Sequence, residues 1–477
     1  MSNHIINISK LLKDNNYSEV DQIKELATSG SSRIYFRVFF IDEKQKSIIA
    51  SFNPEINENI AHYSFTMHFR AKGFNVPEIY AKDQSYCYFL QQDLGNLSLL
   101  EKISNHSTEE VIAVYKIVID NLLKFQTEGI KGLDLDVAFP VKEFNYESIM
   151  WDLNYFKYYF IKPHDISFDE LQLENDFKQF ANFLLEANSE FFVYRDFQAR
   201  NIMICDDTPW FIDFQGGRKG PLQYDLVSLL YQAKANLNKE TKTELLNYYL
   251  EAIGKIAAVS VKDFNKYYDA FVYFRTMQVM GAYGFRGILQ KKGHFLQSIP
   301  YVIDNLIELL EHNHLHSELP ELQKIFKQIV KLTDYRIDIK KTDKLLIDIN
   351  SFSYKKAGIP VDLSGNGGGF IFDCRSLPNP GRYKELKDYT GMEKPVIQFL
   401  DGTEEIHVFL ANCFELVKNS IDNYLFRGFS NLQINFGCTG GKHRSVYSAE
   451  WMSKKIQEYY KTQVEISLRH LQIEKGA

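Results

Sequence analysis

Asp196, Asn201 and Asp213 lie within one short stretch, FFVYRDFQARNIMICDDTPWFIDFQGG, residues 191–217. Phosphoryl transfer to a hydroxyl needs a carboxylate that accepts the hydroxyl proton. It also needs oxygen ligands for a Mg²⁺ that bridges the nucleotide phosphates. An Asp-x4-Asn loop followed by an aspartate at the end of an apolar run supplies both, with Asp196 as base and Asn201 and Asp213 as metal ligands. Each residue alone reads as a loop asparagine or a surface or capping aspartate. In this order, among the strand-like runs FFVY, NIMI and WFID, they read as one phosphotransfer site.

A second cluster is GCTGGKHRS, residues 437–445. The alternation of Leu432, Ile434 and Phe436 predicts a strand, the glycines a loop, and the residues from Ser445 a helix. Strand, glycine loop and helix aim backbone N–H groups at an anion. Three chemistries fit. As a nucleotide loop it is one residue short, and His443 replaces the hydroxyl that would bind Mg²⁺. As a cysteine phosphatase it has Cys438-x5-Arg444 and a thiolate the loop would stabilise. Gly437, however, stands where such enzymes carry histidine, no clear general-acid loop is visible, and nothing ties Asp373, a possible acid, to Cys438. As a receptor for a phosphate monoester it needs only donors, from the loop amides, Thr439, Gly440, Gly441, Lys442, His443, Arg444 and Ser445. The last reading asks least and leaves Cys438 as a small loop residue.

The elements that must position these clusters fall into two modules. An amphipathic helix and a connector are expected over residues 1–28, then two strands in SGSSRIYFRVFFIDEKQKSIIASF (29–52), a helix near 55–72 and further strands to Gly95. Helical patterns dominate from Leu99 to about Leu310, with a β-rich interruption at 191–214. The texture then changes through charged and Gly/Pro-rich segments, and strands and helices alternate to the end, as in an α/β domain. The expected division is a kinase-like module over 1–335 (small lobe about 1–95, large lobe about 96–335), a linker over 336–345 and a closing domain over 346–477. Gly365–Gly369 is expected to be a mobile loop.

A chain of 477 residues with 45% hydrophobic and 24% charged residues suits a globular protein of two or three domains. A net charge of −6 argues against a dedicated nucleic-acid binder. Five scattered cysteines without a C-x-x-C fit a reducing compartment. The polar start and the lack of a long apolar run point to a cytoplasmic protein without a membrane span.

The stretches YRDFQARNIM and IDFQGGRKGPLQYDLVSLL resemble the aminoglycoside/choline phosphotransferase superfamily, small-molecule kinases of protein-kinase-like fold. IDFQG stands where protein kinases carry Asp-Phe-Gly. SGSSRIYFRV, VPEIY, LQQDLG and FRTMQVMG are similar to its kinases of the anomeric hydroxyl of N-acetylmuramate and N-acetylglucosamine. The resemblance covers about residues 20–330. It implies an α+β bilobal fold, ATP as donor and Mg²⁺ as cofactor. Gly30, Ser31 and Ser32 would cover the phosphates, and Gln91 and Asp93 lie in the hinge, where backbone groups would meet adenine. The usual catalytic-loop histidine is Tyr194. No lysine lies on SIIASF to grip the phosphates, so another cation must help, Arg33 or Arg37. Asp225 is expected to brace the catalytic loop. Trp151, Tyr155 and Phe156 are expected to pack a helix rather than stack on a sugar.

Three later blocks, FDCRSLPNP, TGMEKPVIQFL and GCTGGKHRSVYSAE, resemble the C-terminal domain of the RNase adapter family RapZ over about residues 346–470. That resemblance implies an α/β module that holds a sugar phosphate, glucosamine 6-phosphate in RapZ, through Thr439, Gly440 and Arg444, with Asp373, Arg375 and Asn379 lining the site. Gly381 replaces a ligand-contacting histidine, which leaves the identity of the sugar phosphate open. The tail SLRHLQIEKGA lacks a dense basic ending, so RNA is not an expected partner. The combined expectation is an ATP- and Mg²⁺-dependent phosphotransferase for an amino sugar or its N-acetyl derivative, joined to a sugar-phosphate-binding module. The alternatives are a non-catalytic nucleotide-sensing adapter and a C-terminal cysteine phosphatase.

Overall fold

The computed structural model describes residues 2–17, 19–26, 33–42, 47–104, 106–256, 259–312, 319–332, 344–356, 358–362, 364 and 368–474. The expected phosphate-covering residues Gly30, Ser31 and Ser32 and most of the expected linker, 336–343, lie outside these. The chain forms two compact units, residues 1–284 with 298–332, and residues 285–297 with 333–477.

The first unit opens with the helix Ser2–Asp14 and an antiparallel sheet of β1 (Val20–Glu25), β2 (Ile34–Phe40), β3 (Ile48–Phe52), β4 (Ile79–Lys82) and β5 (Tyr88–Gln92), in the order β1-β2-β3-β5-β4. Alternation in β2 sends Phe36, Val38 and Phe40 to one face, where they bury against Ile8, Leu11 and Leu12 of the first helix. β1 was expected to be connector. Its sequence, VDQIKE, is mostly exposed, so it carries little hydrophobic signal, and its place comes from pairing with β2 as a charged edge strand.

The helix Ile56–Ala71 ties this sheet to the helical lobe. Phe65 meets Phe192 at 6.2 Å between ring centroids, and Phe69 meets Phe125, Phe192 and Phe214 within 5.4 Å. Both phenylalanines are fully buried, and truncating either to alanine would cost about 3–5 kcal/mol. Between the helices of this lobe lie two small ribbons. β6 (Phe191–Val193) pairs with β9 (Arg218–Gly220), and β7 (Ile202–Cys205) with β8 (Thr208–Phe211). The loops leaving β6 and β8 carry Asp196 and Asp213.

The helices Tyr146–Phe156 and Val261–Tyr283 cross closely at Gly281. A Cβ there would stand 2.9 Å from the Phe156 nitrogen and 3.0 Å from the Tyr155 carbonyl carbon. Phe156 is core, as expected, whereas Trp151 is exposed.

In the second unit, β10 (Leu345–Ser353), β11 (Gly369–Asp373), β12 (Asn431–Cys438) and β13 (Val464–His470) form a parallel sheet in the order β11-β12-β10-β13. Ile347, Ile349, Leu432, Ile434 and Phe436 bury with the helices Lys394–Asp401, Glu404–Arg427 and Arg444–Tyr460. The alternate residues carry a polar ladder in which Asn350 donates to Asn435 (3.1 Å), Asn435 to Gln433 (3.1 Å) and Asn431 to Asp348 (2.8 Å). Of the expected mobile loop Gly365–Gly369, residues 365–367 lie outside the described residues, and Gly369 opens β11. Its lack of a side chain lets β11 lie against the Gln433 carbonyl. Among the described residues no helix is long and apolar enough to cross a membrane.

Candidate functional site

The Asp196 loop is shaped from below by Asp225, which is fully buried on the helix Gln223–Leu230. Its carboxylate accepts the backbone N–H groups of Tyr194 (2.6 Å) and Arg195 (2.9 Å). Burial outweighs these bonds and pushes its carboxyl up to about 7. Arg195 is held at φ +77° and Asp213 at φ +69°, backbone that side chains rarely adopt, so the surroundings must over-determine both. Tyr194, in the usual histidine position, is structural. Its hydroxyl donates to the Ile212 carbonyl at 2.6 Å and links the two loops.

Asn201 joins the site's two acids. Its amide donates to the Asp196 carbonyl (2.9 Å) and to the Asp213 carboxylate (3.1 Å). Phe214 stacks on His62 at 5.8 Å and so fixes Asp213 from behind. Burial raises the Asp213 carboxyl and Asp196 adds to the rise. Asp196 behaves oppositely. Burial raises it, but Arg275, Arg195, Arg200 and Arg218 outweigh burial and hold it below the ordinary carboxylate range. The oxygen donors of Asp213 and Asn201 suit Mg²⁺, which takes few protein ligands and shares the rest with phosphates.

Of the two candidate cations, Arg33 faces this site. It pairs with Glu58 at 3.1 Å, and Gln215 bridges Glu58 (3.1 Å) and Asp213 (2.8 Å). Arg37 instead binds Asp93 at 2.6 Å and also Asn96 and the Gly95 carbonyl. Asp93 further accepts from Ser47 (2.6 Å) and the Gly95 N–H (2.9 Å), so its carboxylate is fully engaged in bracing the hinge. Gln91 sits inside the sheet, paired with Ile49 on one side and Ile79 on the other. Its side chain faces His62, whose ring is kept neutral by burial, then by Arg33, with its pKa lowered to about 3.

Beyond Asp196 lies a network the sequence reading did not single out. Arg275 Nη2 is 3.8 Å from Asp196, and Arg275 Nη1 donates to Gln278. Gln278 donates to Asp152 at 2.6 Å and accepts from Tyr224 at 2.9 Å. Arg218 donates twice to the Gly216 carbonyl, at 3.2 Å each. Arg275 and Gln278 sit in FRTMQVMG, where a polar residue three after an arginine on an otherwise apolar helix was the available signal.

In the second unit, three distant segments converge on the glycine loop. Arg444 is buried, and its Nη1 donates to the carbonyls of Arg375 (2.7 Å) and Leu377 (3.0 Å). Lys442 donates to the Asp388 carbonyl (2.7 Å), and the Gly391 N–H to the Lys442 carbonyl (2.9 Å). A Cβ at Gly381 would lie 3.3 Å from the His443 ring. Asp373 and Arg375 form an exposed bidentate pair at 2.6–3.0 Å, and Asn379 accepts from the Gly381 N–H at 3.2 Å. The Thr439 carbonyl accepts from the Ser353 hydroxyl at 2.8 Å. Cys438 is buried, with Sγ accepting the Gly441 N–H (3.2 Å) and facing Ser445 Oγ (3.1 Å). The helix Arg444–Tyr460 has no side-chain cap. Arg444 Nε and His443 Nε2 are buried with no protein partner. An uncapped helix start beside unpartnered buried nitrogens is suited to an anion.

A five-stranded lobe over a helical lobe, with an Asp-x4-Asn loop and a second aspartate at their junction, defines a protein-kinase-like fold, and the second unit is a parallel α/β domain. Residues 31–260 match the model of the phosphotransferase enzyme family, and residues 345–474 match the model of the RapZ C-terminal domain. Among curated proteins the chain is 39% identical over 132 residues to a "Nucleotide-binding protein" of Glaesserella parasuis, covering 28% of this chain and 43% of that protein. It is 32% identical over 181 residues to the RNase adapter protein RapZ of Yersinia pseudotuberculosis, covering 37% of this chain and 60% of that protein. The chain thus spans less than two thirds of either relative. Similar solved structures include the choline kinase LicA of Streptococcus pneumoniae (12% identity, TM-score 0.41, 69% of this chain and 98% of that one). A choline kinase of Cryptosporidium parvum is also similar (13% identity, TM-score 0.44, 69% of this chain and 99% of that one).

Proposed function

We propose that the first unit transfers a phosphoryl group from ATP to a hydroxyl of a small molecule, an amino sugar or its N-acetyl derivative. The observation that carries this is the Asn201 amide, which bridges the Asp196 backbone carbonyl and the Asp213 carboxylate and so fixes the two acid-bearing loops together. In this reading Asp196 orients the acceptor hydroxyl and receives its proton. Asp213 and Asn201 hold Mg²⁺, which would neutralise charge on the donor phosphates. Arg33, fixed by Glu58, supplies the cation that β3 lacks. The test is ATP consumption by the purified chain over a panel of sugars, aminoglycosides and choline-like alcohols. No stimulation by any of them would overturn the reading.

For the second unit, we propose binding of a phosphorylated sugar at the glycine loop. The uncapped helix start, with the unpartnered nitrogens of His443 and Arg444, supports an anion there. The resemblance of this domain to that of RapZ, which holds glucosamine 6-phosphate, favours a sugar phosphate, with residues 375–377 held against the loop by Arg444. Calorimetric titration with hexosamine phosphates, inorganic phosphate and ATP tests it. Binding of ATP in preference to sugar phosphates would overturn it.

A further inference from the structure

We infer that the helical lobe of the first unit holds a second small-molecule site, apart from Asp196 and Asp213, that takes a ligand bearing a primary ammonium group. The site is a cleft of about 310 Å³ between the helices Lys239–Ile256, Val261–Tyr283 and Ile299–His312. Small-molecule pockets usually measure about 300–1,000 Å³. None of Asp196, Asn201, Asp213 or the arginines around Asp196 lines the cleft. Tyr231 forms its wall toward the Asp196 loop, and the next residue, Gln232, accepts the Ala199 N–H at 2.6 Å. The cleft is therefore a neighbour of that loop and separate from it. It would take its ligand whether or not the first unit transfers phosphate.

Four charged side chains line the cleft, and three are already answered. Lys242 is only 4% exposed. Its ammonium pairs with Glu308 at 2.5 Å, donates to Asn305 at 3.3 Å and lies 4.7 Å from the centre of the Tyr231 ring. Those contacts use its charge and that of Glu308 together. Lys239 stands at the exposed mouth, where water and salt screen it. Asp269 is the fourth. It is half-buried, and among the described residues it accepts no hydrogen bond and forms no ion pair. Burial alone acts on its carboxyl and pushes it up, as for an acid with no cation beside it.

The surroundings of Asp269 also call for a cation. The hydroxyls of Tyr231 and Tyr268 hydrogen-bond each other, and the charges acting on both are those of Asp269 and Glu308. Asn265 lies one turn before Asp269 on the same helix face, with its side-chain amide unpartnered among the described residues. The cleft thus offers an unanswered carboxylate and a free amide oxygen side by side. A carboxylate drawn partly out of water gains most from a charge-assisted hydrogen bond. A primary ammonium brings three N–H donors to these acceptors, and a quaternary one brings none.

The experiment is calorimetric titration of the full chain with probes paired by charge. Ethanolamine is set against ethylene glycol, putrescine against butanediol and glucosamine against glucose. Choline tests the need for N–H donors, and acetate tests an anion at Lys239. At least one primary amine should bind about tenfold or more tightly than its neutral partner, and more tightly than choline or acetate. Asp269→Asn should weaken that binding by about tenfold or more, whereas Asp196→Asn should change it by less than about threefold. The asparagine variant removes a charge that burial disfavours, so it should fold like the wild type. Asn265→Trp fills the cleft from its exposed mouth and should weaken amine binding as well. It stands in if the asparagine variant does not fold. Neutral partners, choline or acetate binding as tightly as the amines would overturn the inference. So would amine binding that survives both Asp269→Asn and Asn265→Trp. Binding lost in Asp196→Asn and kept in Asp269→Asn would also overturn it, by assigning the amine to the phosphotransfer site. Absence of ATP consumption with every acceptor would overturn the kinase reading and leave this inference standing.

Discussion

Arg33 and Glu58 form an ion pair, with Nη2 3.1 Å from Oε1, and Gln215 carries the contact on to Asp213. The start of β2 is thereby coupled to the proposed metal ligand. Arg33→Ala removes the cation and leaves Glu58 near Asp213 with Gln215 and Asn53 as its neutral donors. Stability should fall by about 1–3 kcal/mol, read as a shift of the urea midpoint. Affinity for ADP should fall by about tenfold, read by calorimetry. Unchanged ADP affinity would remove Arg33 from the phosphate site.

Asp196→Asn and Asp213→Ala should separate chemistry from binding. The first keeps the shape of the loop but loses the proton acceptor, so kcat should drop by about 10²–10⁴-fold with nucleotide affinity retained. The second should lose the Mg²⁺-dependent part of nucleotide affinity. Wild-type turnover in both variants would show that the site has been misassigned.

Asp225 gives a pH dependence of stability. Its carboxyl is pushed up to about 7 in the folded chain, against an ordinary aspartate value of 3.8. Between these values the folded state holds a proton that the unfolded state has released. The stability tied to that proton is complete below the lower value and is lost as pH rises through the upper one. Asp225→Asn should flatten the stability profile across this window. It should also lower stability by about 1–3 kcal/mol, because one amide oxygen replaces two acceptors for the Tyr194 and Arg195 N–H groups. Urea unfolding at both ends of the window measures each effect.

Gly281→Ala tests how the acceptor side is built. The added methyl meets the backbone of Tyr155 and Phe156, and relieving it must separate the two helices. Gln278 would then draw away from Asp152 and release Arg275. A stability loss of about 1–3 kcal/mol is expected, together with a rise in acceptor KM larger than any rise in the KM for ATP.

Cys438→Ser distinguishes a loop residue from a nucleophile. The serine hydroxyl can still accept the Gly441 N–H and meet Ser445. Sugar-phosphate affinity should therefore stay within about threefold, less than 1 kcal/mol. Wild-type protein should show no hydrolysis of an aryl phosphate. Hydrolysis that disappears in the serine variant would restore the phosphatase reading.

The parts legible in the sequence were those with a short-range signature. The alternation in NLQINF marks β12, and the order of Asp196, Asn201 and Asp213 marks the loops of the proposed site because their spacing is set by local hairpins. What escaped notice depends on long-range contact. β1 is an edge strand whose outward residues are charged, so only its partner reveals it. The role of Glu58 comes from a helix far from Gln215 in sequence, and that of Asp152 from one far from Gln278. The choice between Arg33 and Arg37 could not be made from strand parity, since both lie on one face. It is made by Asp93, which engages Arg37 and leaves Arg33 to the site.

In the proposed transfer, the four arginines around Asp196 also bear on its timing. A carboxylate stabilised in its ionised form has little appetite for a proton. It can steer a hydroxyl into line well before it can strip that hydroxyl bare. Bond-making to phosphorus would then run ahead of proton departure, in keeping with a loose, dissociative transfer. The rate-limiting chemical step should accordingly show only a small change when the solvent is replaced by heavy water.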